Sequence, residues 1–135
     1  MEQLEAIVAK EISSWLPPEA ENDKLIVYTQ CLYKSGEVVP VTVEKGFVVH
    51  DDGRTLDEIL RETSFEFLDL KVAREIAGRS GLKVTDAWVI VSPQVEIDRL
   101  ADAIVLVANA SKDIAAAEAI RHPRKPAWRR FLRIV

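Results

Sequence analysis

Residues 24–50 read KLIVYTQCLYKSGEVVPVTVEKGFVVH, and the reading of this stretch decides the fold. Ile26, Val27, Tyr28, Thr29, Leu32 and Tyr33 have strand character, being largely β-branched or aromatic side chains that pack well on a pleated surface. Ser35-Gly36 reads as a turn. Val39, Val41 and Val43 then alternate with Pro40, Thr42 and Glu44, the two-residue period of a half-buried strand. Pro40 has no N–H to give to a ladder, so its neighbouring edge should be unpaired or bulged. Lys45-Gly46 allows another reversal, and Phe47-Val48-Val49-His50 returns as a third strand. The expectation is an antiparallel meander.

Upstream, Leu4, Ile7, Val8, Ile12, Trp15 and Leu16 recur at helical spacing, and Pro17-Pro18 ends the helix they predict. A polar stretch, Glu19–Asp23, leads into the meander. Downstream, Thr55-Leu56-Asp57-Glu58 matches a capping box, so a helix should start at Thr55 and run to about Glu62. A second helix is expected from near Asp69 to Gly78, with Leu70, Ala73, Ile76 and Ala77 on one side. Ala87-Trp88-Val89-Ile90-Val91 reads as a buried strand, followed by Ser92-Pro93 as N-cap and first residue of a long helix. That helix shows Ile97, Leu100, Ala101, Ile104, Val107, Ala108, Ile114 and Ala115 on its inward face and ends near Ile120. The fold class is α+β: a small antiparallel sheet of about four strands packed by helices at the N-terminus, middle and C-terminus.

The whole chain has 135 residues and a formal charge of −4, but that average hides a division. Residues 1–120 carry 12 basic and 22 acidic side chains, whereas residues 121–135 carry six basic and none acidic. We therefore expect one α+β domain over 1–120 and a basic tail over 121–135. With 48% hydrophobic and 30% charged residues the chain is neither disordered nor collagen-like. Its single cysteine, Cys31, excludes an internal disulfide and a cysteine-type zinc site, and suits a reducing, cytoplasmic setting. Met1–Glu5 has no basic region of the kind that opens a secretory signal, and no apolar run is long enough to span a bilayer.

The segment Phe47-Val48-Val49-His50-Asp51-Asp52-Gly53-Arg54-Thr55-Leu56 resembles an uncharacterised bacterial and phage family, a domain of unknown function in which a strand runs into D-D-G-x-T and a helix. The likeness continues through Gly81-Leu82-Lys83-Val84 to Ala103–Ala108, about residues 25–113 in all. It implies a small mixed domain, often encoded on mobile elements, and supplies no reaction.

His50-Asp51-Asp52 is the one cluster that could bind a metal or move a proton, since in a strand His50 and Asp52 would share a face. The competing account is that Asp52-Gly53 is simply a turn that an Asp side chain can hold. Cys31 could pair with His50 as a nucleophile if neighbouring strands brought them together, but a strand cysteine is more often a small core residue. No phosphate-binding, dinucleotide-binding, nucleophile-elbow or zinc-protease motif is present. Ala77–Ile90 has turn-like spacing for a helix-turn-helix, yet its second helix would be β-branched and poor in basic residues.

The tail carries the most specific pattern. After Pro126, Trp128, Phe131, Leu132 and Val135 fall at i, i+3, i+4 and i+7, with Arg129, Arg130 and Arg133 on the other sides. Eight residues form only a marginal helix alone, so something should hold them. The apolar stripe could close the domain's own core. It could instead meet a protein partner or a second copy through Trp128, Arg129, Arg130, Phe131, Leu132 and Arg133. A third option is nucleic-acid phosphates, through Arg121, Arg124, Lys125, Arg129, Arg130 and Arg133; an anionic membrane surface is the least favoured. The sequence thus points to a small cytoplasmic binding or regulatory protein acting through protein contacts, with host defence or counter-defence as the setting if the resemblance holds. The alternatives are a nucleic-acid-associated protein and a metal-dependent hydrolase or nuclease at Asp51 and Asp52. No cofactor and no metal site are predicted, and enzymatic activity is not favoured.

Overall fold

The computed structural model describes residues 19–21, 23–63 and 69–123. They form an α+β fold built on a six-stranded sheet of order β1-β2-β3-β4-β6-β5, antiparallel throughout. The strands are β1 (Glu19–Glu21), β2 (Lys24–Leu32), β3 (Val38–Glu44), β4 (Val48–His50), β5 (Lys83–Val84) and β6 (Ile90–Val91). The helices are α1 (Arg54–Glu62), α2 (Lys71–Arg79) and α3 (Leu100–Arg121), the last entered through a short 3-10 turn at Ile97–Arg99.

The central meander β2-β3-β4 forms as expected. Tyr28 faces Pro40, the register slips between Tyr28 and Leu32, and β4 pairs with β3 only over Thr42–Glu44, so the edge beyond Pro40 is indeed bulged on one side and unpaired on the other. The sheet has more strands than the four or so predicted because two short ones join its edges. Glu19–Glu21, read as a polar lead-in, turns at Asp23 and pairs with β2, and Lys83–Val84 pairs with β6. Leu25, Val27, Val39, Val41, Val43 and Val49 share one buried cluster with Ile59, Ala73, Ala77 and the inward face of α3, so α1, α2 and α3 pack on one face of the sheet. Burying a side chain such as Ile104 completely stabilises the fold by about 2 kcal/mol.

Two expectations downstream are corrected. The strand predicted at Ala87–Val91 is limited to Ile90–Val91, because residues 85–88 make a turn. Trp88 N–H donates to the Thr85 carbonyl at 2.9 Å, and Trp88 takes a left-handed φ of 63° while remaining buried. Ser92 does not cap the long helix. Its hydroxyl accepts the Val49 N–H at 3.0 Å and donates to the Pro93 carbonyl, and its own N–H donates to the Val49 carbonyl, so residue 92 still belongs to the sheet and α3 begins only at Leu100. Ile97 is consequently 42% exposed rather than inward-facing. The predicted N-terminal helix lies outside the described residues. Among those described, no helix is long and apolar enough to cross a membrane.

Candidate functional site

β4 delivers His50, Asp51 and Asp52 to the point where the sheet meets α1, but the three side chains part there. His50 belongs to a cross-strand row with Thr42 and Ile26, on the face opposite the core cluster. Its Nδ1 accepts the Asp52 N–H at 3.0 Å, so the proton sits on Nε2, which donates to Glu44 Oε1 at 3.2 Å. Lys24 Nζ is 3.4 Å from the same oxygen. The His50 hydrogen bond, helped by Lys24, holds the Glu44 carboxyl below its ordinary value.

Asp51 points the other way and is completely buried. Its Oδ1 accepts the N–H of Ile90 at 2.8 Å and of Gly53 at 3.2 Å, and its Oδ2 accepts the N–H of Thr55 at 3.1 Å. Burial pushes its carboxyl above the ordinary aspartate value against the pull of these donors. Asp52 is exposed with a left-handed φ of 56°, so the strand alternation that would have set it beside His50 has already ended. The expected convergence of His50 with Asp52 is therefore not formed. Among the described residues, no three His, Cys, Asp or Glu side chains are grouped to hold a metal ion.

The capping box is corrected as well. Helix α1 begins at Arg54 behind Gly53, which is left-handed at φ 72°, and no side chain bonds the cap as the box requires. Asp51 does that work from outside the helix by taking the N–H groups of Gly53 and Thr55. Thr55 is thereby freed to bond Tyr33, hydroxyl to hydroxyl at 3.2 Å, and Glu58 turns instead to Arg61. Burial, helped by the charge of Asp51, pushes the Tyr33 phenol up to about 12 against the pull of the Thr55 hydrogen bond. This buried Tyr33–Thr55–Asp51 set was not predicted; Asp followed four residues later by Thr across a Gly was its only trace in the sequence.

Cys31 and His50 are not neighbours, because β3 lies between β2 and β4 and His50 is aligned with Ile26. The Cys31 thiol instead donates to Asn109 Oδ1 on α3 at 3.5 Å. The supposed helix-turn-helix at Ala77–Ile90 is the end of α2 followed by the β5–β6 hairpin. Of the tail cations, Arg121 is tied to the body by Glu118 at 2.8 Å and Asp69 at 3.6 Å. Arg124, Lys125, Trp128, Arg129, Arg130, Phe131, Leu132 and Arg133 lie outside the described residues.

Two features went unread in the sequence. An open cleft of about 760 Å³ lies between α1 and the unpaired part of β3, with Tyr28, Tyr33 and Pro40 facing Arg54 and Arg61. Glu58 and Glu118, which helical periodicity alone would have left in water, are buried where α1 and α3 pack. No family model, curated protein or solved structure matches this chain.

Proposed function

We propose that the chain is a small binding or regulatory protein that works through protein contacts, with its cationic, apolar-striped C-terminal segment as the contact element and self-association as one form of contact. The observation that carries this reading is the use of His50, Asp51 and Asp52 as structural groups. Both nitrogens of His50 are engaged, both oxygens of Asp51 accept backbone N–H groups, and Asp52 shapes a turn. The metal-dependent hydrolase at Asp51 and Asp52 thus loses its support.

The nucleic-acid reading ranks below this one. Arg121 is already committed to carboxylates, and the acidic body repels phosphate. A phage or mobile-element origin, in host defence or counter-defence, rests only on the family resemblance over about residues 25–113, and the cytoplasmic setting on the single cysteine, Cys31.

The test uses the full chain and a variant carrying Trp128→Ala, Phe131→Ala and Leu132→Ala. Light scattering across a concentration series should show a mass above the monomer that the variant loses. If the mass is monomeric at every concentration, and the variant also retains every protein captured by the wild type, the tail is not the contact element.

A further inference from the structure

Strand β4 pairs with β3 only over Thr42–Glu44 and then turns away at Asp51 into α1, so the β3 backbone from Val38 to Val41 keeps one edge with no strand beside it. The direction of each backbone group there follows from its neighbours. The Val39 carbonyl accepts the Thr29 hydroxyl at 2.8 Å and so faces β2, whereas Thr42 faces His50 on the other side. Hydrogen-bonding directions alternate along a strand, so Val38 and Pro40 turn theirs to the open edge. Val38 offers an N–H and a carbonyl there, and Pro40 a carbonyl alone.

This edge opens into the cleft of about 760 Å³ whose other wall is the row Arg54, Asp57 and Arg61 of α1. Arg61 is already taken by Glu37 and Glu58. Arg54 is half-buried, and among the described residues it makes no ion pair. A partly desolvated guanidinium without a counter-charge gains more from an arriving carboxylate than a fully hydrated one does. Asp57, one helical turn on, is exposed and hydrated, and it disfavours a second acid at the next inward position.

A backbone edge that lacks a strand is matched by another extended backbone. The cleft sets its length, because Arg54 and Arg61 are seven residues apart, about 10.5 Å of helix, the span of three or four extended residues. A segment running antiparallel to β3 would place one residue opposite Val38, exchanging both backbone hydrogen bonds, and give an N–H to the Pro40 carbonyl two residues earlier. The residue between them, opposite Val39, shares the face of the sheet on which α1 packs, so its side chain enters the cleft on the Arg54 side. Its two neighbours lie on the other face, where Pro40 is aligned with Tyr28. The missing Pro40 N–H keeps the added strand short.

We propose that this cleft binds an extended segment of another protein by strand addition to β3, reading the pattern apolar–acidic–apolar. The acid meets Arg54, and the apolar residues lie opposite Val38 and Pro40. This contact surface belongs to the folded body and is independent of the C-terminal segment.

The experiment is a nuclear magnetic resonance titration of the isotopically labelled full chain with the peptide acetyl-Ser-Val-Glu-Val-Ser-amide. The Val38 amide should shift and become protected from exchange, and the peptide should bind about tenfold more tightly than its Gln counterpart, the worth of one charge-assisted contact. That preference should vanish in Arg54→Gln, which removes no ion pair of the described fold. Methylating the backbone nitrogen of the first valine, which serves Pro40, should weaken binding by a similar factor. No binding, binding that leaves the Val38 amide unmoved, or a Glu preference that survives Arg54→Gln overturns the proposal. A Val38 amide already protected in the free chain also overturns it, since the edge is then occupied by the chain itself or, where protection grows with concentration, by a second copy. In each of these cases the reading of the tail as a contact element stands on its own test.

Discussion

Replacing Asp51 tests whether the buried carboxylate builds the fold or waits for a reaction. Three backbone N–H groups, from Ile90, Gly53 and Thr55, end on it at 2.8, 3.2 and 3.1 Å. Hydrogen bonds to a charged acceptor contribute about 1.5 kcal/mol each at the low end, and the part-buried Gly53 N–H regains about 1 kcal/mol from water, so Asp51→Ala should cost about 3.5 kcal/mol. In a chain of this size that corresponds to a melting temperature lower by about 10 °C. Asp51→Asn keeps the oxygen that serves Ile90 and Gly53 but sets an amide N–H₂ against the Thr55 N–H, and should cost about 2 kcal/mol. Urea unfolding at pH 7, followed by tryptophan fluorescence, measures both. The two variants also differ from wild type in pH dependence. Because burial raises the Asp51 carboxyl in the folded state, protonation adds stability beyond that of the accepted backbone bonds, and this added part is fully present below the ordinary aspartate value and is lost as pH rises through the raised one. The Asp51→Asn deficit should therefore widen as pH falls through that window. An Asp51→Ala protein within about 0.5 kcal/mol of wild type would refute the assignment of Asp51 as the cap of α1 and the tie to β6.

Asp52→Gly removes a left-handed non-glycine residue from an exposed turn and should stabilise the protein by up to about 1 kcal/mol in the same assay. A loss of stability would mean that the Asp52 side chain has work beyond the turn. Glu44 is held low by His50 and Lys24, so its contribution is present above the ordinary glutamate value of 4.5 and lost as pH falls through the lowered folded value. Glu44 is 40% exposed, which limits the effect to under about 1 kcal/mol; acid titration of Glu44→Gln should show a shallower decline than wild type. Tyr33, pushed up to about 12, keeps its stabilising neutral form below the ordinary value of 10.0 and loses that contribution as pH rises through 12. Phenolate absorbance should show one of the two tyrosines still protonated at pH 11, and that late step should vanish in Tyr33→Phe.

The parts of the fold that were legible in the sequence are those where a local pattern and the tertiary outcome require the same thing. Val39, Val41 and Val43 alternate because one face of β3 is buried, and Gly46 follows because the reversal before β4 needs a left-handed residue, φ 94°. Where one residue type serves two competing local structures, the pattern misled. Thr55 and Glu58 satisfy the spacing of a capping box, yet Asp51 takes the Thr55 N–H that Glu58 would have taken, and another of its partners, Ile90, is 39 residues away. Ser92-Pro93 likewise has the letters of a helix start, but the Ser92 hydroxyl is taken by Val49, 43 residues back in the chain. Such choices depend on which distant backbone group arrives, and no window of neighbouring residues contains that information. The candidate site failed for a related reason. His50 and Asp52 share a face only while the chain remains extended, and the left-handed turn at Asp52 ends the strand one residue too soon.

Charge shows a similar gap between composition and structure. The acidic excess of residues 1–120 counts Asp51, Glu58 and Glu118, all buried, and it counts Glu44, Glu37 and Asp86, each within ion-pair distance of a cation. A field summed over all these groups overstates what the basic tail meets, and exposed charges more than about 8 Å apart are largely screened at physiological ionic strength. General attraction to an acidic body therefore cannot choose a docking position for the tail.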